Sequence, residues 1–66
     1  MTFPEQYRAE IKRVESIRDQ ACATGDAGML LAYVCGEMLG RARDALARYD
    51  TADMAAIYKE MKEIEG

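Results

Sequence analysis

Residues 27–49, AGMLLAYVCGEMLGRARDALARY, decide the fold of this chain. Within them Leu31, Cys35, Met38, Ala42, Ala45 and Tyr49 recur at a 4-3-4-3-4 spacing, the seam of a helix that packs against neighbours at a shallow angle. Val34, Leu39 and Leu46 widen that seam. On a helical wheel Leu30 and Tyr33 fall well outside it and Met29 lies nearly opposite, so the first half of the helix is apolar almost all round. A helix of that kind is expected to be covered on more than one side.

The same helix carries a stripe of small residues, Ala32, Gly36, Gly40 and Ala47. Each glycine inside a helix costs about 1 kcal/mol relative to alanine, so a reason for the pair is expected. Close approach of another helix supplies one, either from a second chain or from the chain's own first or third helix. The run Gly36-Glu37-Met38-Leu39-Gly40 has the small-xxx-small form, a signal that is specific in membranes and weak elsewhere.

Upstream, Thr2-Phe3-Pro4-Glu5 reads as a helix start: Thr2 caps the Glu5 N–H, and Pro4 lies where backbone N–H groups have no intrahelical partner. Phe3, Tyr7, Ile11, Val14, Ile17 and Ala21 then draw one apolar stripe among residues charged in both signs. Gly25 is placed to end this helix in a left-handed conformation and Asp26 to cap the next. Downstream, Asp50 or Thr51 caps a third helix, with Asp53 at its positive end and Met54, Ile57, Tyr58, Met61 and Ile64 as its stripe. The expected architecture is therefore all-α: a small antiparallel helical hairpin with a third helix, spanning about 3–24, 27–49 and 52–65, in one domain.

Sixty-six residues bury only about 60% of their unfolded surface, so the core is marginal and some reinforcement is expected. Cys22 and Cys35 flank the turn at unequal distances, which places them about 8 Å apart along the hairpin, too far for a disulfide. Both read instead as small hydrophobes in a reducing cytosol. There is no histidine, and two isolated cysteines do not make a zinc site. Regular packing and self-association remain, and a helical-bundle homodimer is expected.

Twelve acidic against nine basic residues give a net charge of −3. That balance disfavours non-specific nucleic-acid binding, which depends on neutralising phosphates. The longest apolar stretch, Ala27 to Gly36, is half the length of a membrane span and follows no basic leader, so neither anchor nor signal peptide is expected and the chain reads as cytoplasmic. Histidine, the commonest acid–base residue, is missing, and the one serine, Ser16, has no adjacent base. No glycine-rich phosphate loop follows a strand. The chain therefore reads as a non-enzyme without a cofactor.

What remains is binding. Tyr33 is the leading candidate, since an aromatic projecting from a helix beside Leu30 and near Met29 combines apolar area with a polar tip. Five methionines suit an adaptable contact surface as well as a core. Arg41 and Arg48 share a face, with Asp44 between them expected to neutralise both. The expected partner-binding set is Met29, Leu30, Tyr33, Gly36, Glu37, Gly40, Arg41 and Arg48. By architecture alone the chain resembles short helical regulators and inhibitors encoded by phages and plasmids, and small secretion chaperones. That likeness is of fold alone and does not fix function; the apolar surface of the second helix, more than one small core needs, and an acidic balance that keeps such a chain in solution point to a small inhibitor or adaptor that blocks or bridges a protein target. The alternatives are an RNA-binding hairpin dimer, carried by the arginines, and a co-assembly subunit stabilised by a permanent partner.

Overall fold

The computed structural model describes residues 2–64. They form three helices: α1, Phe3–Ala23; α2, Met29–Arg48; and α3, Thr51–Lys62. A 3-10 turn over Gly25–Gly28 joins the first two. The all-α expectation holds, and the expected stripe of α1 is its buried face: Tyr7, Ile11, Val14, Ile17 and Ala21.

Local chemistry accounts for the helix ends. The Thr2 hydroxyl accepts from the Glu5 N–H at 3.4 Å, and Pro4 lies in the first turn. Gly25 takes a φ of +85°, a conformation that costs glycine little. Contrary to expectation, the chain does not re-enter an α-helix at Ala27, and Asp26 does not cap α2. The N-cap position is Gly28, with no side-chain cap bond. Packing against α1 explains this: a Cβ on Gly28 would lie 2.0 Å from the Ala21 carbonyl oxygen, so the two segments meet backbone to backbone and the link tightens to 3-10 geometry.

Tyr49 is a second departure. Instead of continuing the seam it adopts a left-handed φ of 51°, and its N–H bonds the Ala45 and Leu46 carbonyls as the C-cap of α2. Its side chain is 61% exposed. Asp50 then caps α3, its carboxylate accepting from the Asp53 N–H at 3.2 Å. The third helix ends at Lys62 rather than near residue 65; residues 65 and 66 lie outside the described part of the chain.

The core gathers Tyr7, Ile11, Val14 and Ile17 from α1, Cys35, Leu39, Ala42 and Ala45 from α2, and Met54, Ile57 and Met61 from α3. Leu31, Met38 and Leu46 pack partly against it. Of the expected small hydrophobes, Cys35 is buried but Cys22 is exposed, and both are free thiols.

Polar contacts also tie the helices to one another. The buried Tyr7 hydroxyl donates to the Ala42 carbonyl. Arg13 reaches from α1 to the end of α3 and the residue just past it, donating to the Met61 carbonyl at 2.7 Å and the Ile64 carbonyl at 2.9 Å; the Met61 oxygen also accepts the Ile64 N–H at 3.1 Å. Arg43 pairs with Glu15 across the hairpin. At the open end Phe3 meets Tyr58 edge to face at 5.5 Å.

Candidate functional site

Residues 29–34 of α2 hold most of the large apolar surface left outside the core. Met29 is 63%, Leu30 77%, Tyr33 67% and Val34 42% exposed. The apolar girdle expected to be covered on more than one side is thus covered on one side only within the chain. Val34, expected to widen the seam, lies outside it.

Helical geometry, about 100° per residue, divides these residues into two stripes. Met29, Tyr33, Gly36 and Gly40 run at i, i+4, i+7 and i+11 along the face turned away from the core. Ala27, Leu30, Leu31 and Val34 line the other edge, toward the side of the hairpin that α3 occupies further on. The sequence pattern alone merges the two, because both are apolar and adjacent in the chain.

On the outward stripe the Tyr33 hydroxyl donates to a Glu37 carboxylate oxygen at 3.0 Å, one turn on. That bond, reinforced by the carboxylate's charge, raises the phenol above its ordinary range, so the ring stays neutral and held along the helix surface. Below it, Cβ atoms built on Gly36 and Gly40 would meet nothing within 4 Å. Neither glycine is required by close packing among the described residues. The two leave a shallow, side-chain-free strip beside a projecting aromatic ring.

The arginines of the expected set are engaged elsewhere in the fold. Arg48 bonds Asp44 at 3.0 Å, Asp50 at 3.2 Å and Asp53 at 2.9 Å, joining the end of α2 to the start of α3. Its pKa is raised, chiefly by the bond to Asp53 and then by Asp44. Arg41 pairs with Glu60 of α3 at 3.3 Å. Asp44, expected to neutralise both arginines, is bonded to Arg48. The eight residues thus separate into an apolar and glycine strip (Met29, Leu30, Tyr33, Gly36, Gly40) with Glu37 at its edge, and two arginines tied to α3.

Sequence reasoning missed an apolar cavity of about 270 Å³ at the closed end of the hairpin. Ile17 and Ala21 of α1 and Thr24 just past its end line it together with Ala27 and Gly28 of the 3-10 turn and Leu31 of α2. The available signal was length: α3, at 12 residues, is much shorter than α1 and α2, at 21 and 20, and cannot cover them end to end.

Among the described residues no three His, Cys, Asp or Glu side chains gather to hold a metal, and no helix is long and apolar enough to cross a membrane. Comparison with protein-family models, with curated proteins and with solved structures finds no match to this chain.

Proposed function

We propose that this chain is a non-catalytic protein-interaction module, a small inhibitor or adaptor that self-associates and docks the outward face of α2 onto a target protein. One observation carries the reading: Met29 and Tyr33 project from a single stripe whose continuation, Gly36 and Gly40, carries no side chain and has open space above it. A target helix or loop can approach that strip closely while Tyr33 and Met29 clasp its side, the arrangement in which tyrosine anchors concentrate binding energy.

The burial pattern supports the same reading. No polar or charged residue is buried among the described ones, and the core is satisfied by three helices, yet several large apolar side chains stand in water on one half of one helix. Contiguous exposed apolar surface of this kind marks interaction sites. The engagement of Arg41, Arg43 and Arg48 in ion pairs weighs against the nucleic-acid alternative, which needs those charges for phosphates.

The test is affinity capture from the native host with mass spectrometry, using the wild-type chain, Tyr33→Asp and a control on the opposite surface, Lys12→Ala. The expected outcome is a protein retained by wild type and Lys12→Ala and lost with Tyr33→Asp, whose circular dichroism matches wild type because the ring is exposed. Equal capture by all three would refute the docking face.

A further inference from the structure

The stretch that carries the docking strip holds carboxylates and no cation. Between Arg18 and Arg41 the sequence has neither lysine nor arginine, but it has Asp19, Asp26 and Glu37. Asp19 pairs with Arg18. Among the described residues no cation pairs with Asp26 or Glu37. The arginine best spaced to neutralise Glu37 along the helix is Arg41, four residues on, and it turns instead to Glu60 of α3 at 3.3 Å. Arg43, beyond the strip, is committed to Glu15 of α1. Asp26 lies in the 3-10 turn just before α2, where the positive end of that helix offsets part of its charge. Glu37, in mid-helix, has no such compensation. Its place is set by the bond it accepts from the Tyr33 hydroxyl at 3.0 Å, so a carboxylate without a counter-ion stands at the edge of the strip of Met29, Tyr33, Gly36 and Gly40.

We infer that the occupant of this strip is a basic amphipathic helix of the target protein, lying along Gly36 and Gly40 with a lysine or arginine against Glu37. The inference rests on the docking face proposed above and names the chemistry of what that face takes. Shape selects a helix. The strip runs from Met29 to Gly40, about 16 Å along α2, and above its two glycines a Cβ would meet nothing, which suits a helix laid lengthwise by its apolar face. An extended segment would find no free backbone partners here, because the N–H and C=O groups in the middle of α2 already bond one another. A helix brings its own. Charge selects the sign: an unbalanced carboxylate on a chain of net charge −3 attracts a cation and repels phosphate. A second copy of this chain fits less well, since it would bring the same Glu37 to the same strip.

Amide chemical-shift titration of the full chain with a model peptide of leucine, alanine and lysine tests this. The peptide has about 18 residues, or about five helical turns, and two counterparts carry glutamine or glutamate at every lysine. The lysine peptide is expected to shift residues 29–40 and to bind more weakly as salt rises. Glu37→Gln keeps an acceptor for the Tyr33 hydroxyl and removes only the charge. It is expected to weaken lysine-peptide binding by about threefold, the effect of an exposed ion pair. Glu37→Lys is expected to reverse the preference in favour of the glutamate peptide. A lysine peptide that leaves residues 29–40 unshifted, a glutamate peptide that binds wild type as tightly, or a Glu37→Gln chain that binds the lysine peptide undiminished would each overturn the assignment. The two readings fail separately: a glutamine peptide that binds residues 29–40 as tightly as the lysine peptide rejects the basic occupant and leaves the docking face intact, whereas target capture by Tyr33→Asp rejects the docking face itself.

Discussion

The Tyr7 hydroxyl donates to the backbone carbonyl of Ala42 at 2.7 Å, 35 residues away and wholly within the core. One polar atom thereby fixes the register of α1 against α2.

Removing only that oxygen isolates the bond. Tyr7→Phe is expected to lose about 1 kcal/mol, the usual net worth of an intramolecular hydrogen bond, because the Ala42 carbonyl retains its place in the helical ladder. For a domain of this size that lowers the melting temperature by about 4–8 °C. Thermal unfolding followed by circular dichroism measures it, and an unchanged midpoint would show that apolar packing alone sets the register.

The same hydroxyl predicts a pH dependence. Burial raises the Tyr7 pKa, and the nearby Asp53 charge raises it further. A phenol whose pKa is higher folded than unfolded stabilises the fold fully below its unfolded value, near 10, and that stability is lost as pH rises through the folded value. Wild type is therefore expected to lose stability more steeply above about pH 10 than Tyr7→Phe. Urea midpoints of the two chains at pH 9 and pH 11 are expected to converge toward the higher pH.

Asp50 makes a separate prediction at the α2–α3 corner. Its carboxylate caps the Asp53 N–H and also accepts from Arg48. Asp50→Ala is expected to cost about 1 kcal/mol, the usual loss of a cap, and Asp50→Ser to restore most of it, since serine caps nearly as well. If Ser and Ala are equally destabilising, the ion pair with Arg48 outweighs the cap, and the deficit will shrink in high salt.

How far these features can be read from sequence depends on what sets them. The α1 stripe is legible because burial of one face writes a spacing of three and four into the chain. The cap at Asp50 is legible because it is chemistry between residues three apart. The start of α2 is not, since it depends on Gly28 passing against the Ala21 carbonyl, a contact between helices. Tyr49 continues the seam's period but not its helix, because a left-handed cap intervenes where a wheel assumes none. Val34 fails for a related reason: wheel position tells which side a residue faces, not how far a neighbouring helix reaches. Arg13 was one charge among many on the solvent face of α1 until the end of α3 arrived beside it. For the candidate site, the exposed residues Met29, Leu30 and Tyr33 were legible from their angle to the seam, but their division between two stripes needed the position of α3.

The glycines of α2 and the one just before it bring these threads to one experiment, because they differ in what surrounds them. Gly28 has no room: its Cβ would lie 2.0 Å from backbone oxygen and 2.8 Å from the carbonyl carbon of Ala21. Gly28→Ala must push α1 and α2 apart at the closed end and is expected to cost about 1–3 kcal/mol, as overpacking does. Gly36 and Gly40 have open space, so alanine there is expected to stabilise the isolated chain by about 0.5–1 kcal/mol each through helix propensity. If the outward strip serves only the fold, Gly36→Ala/Gly40→Ala is an improvement without penalty. If it is the docking strip proposed above, the double variant melts higher and yet binds its target more weakly, because two methyl groups now occupy the space the target backbone needs. Melting temperature and target capture measured on the same preparation decide it: a gain in both would remove the glycine strip from the interface, and opposite signs would place it there.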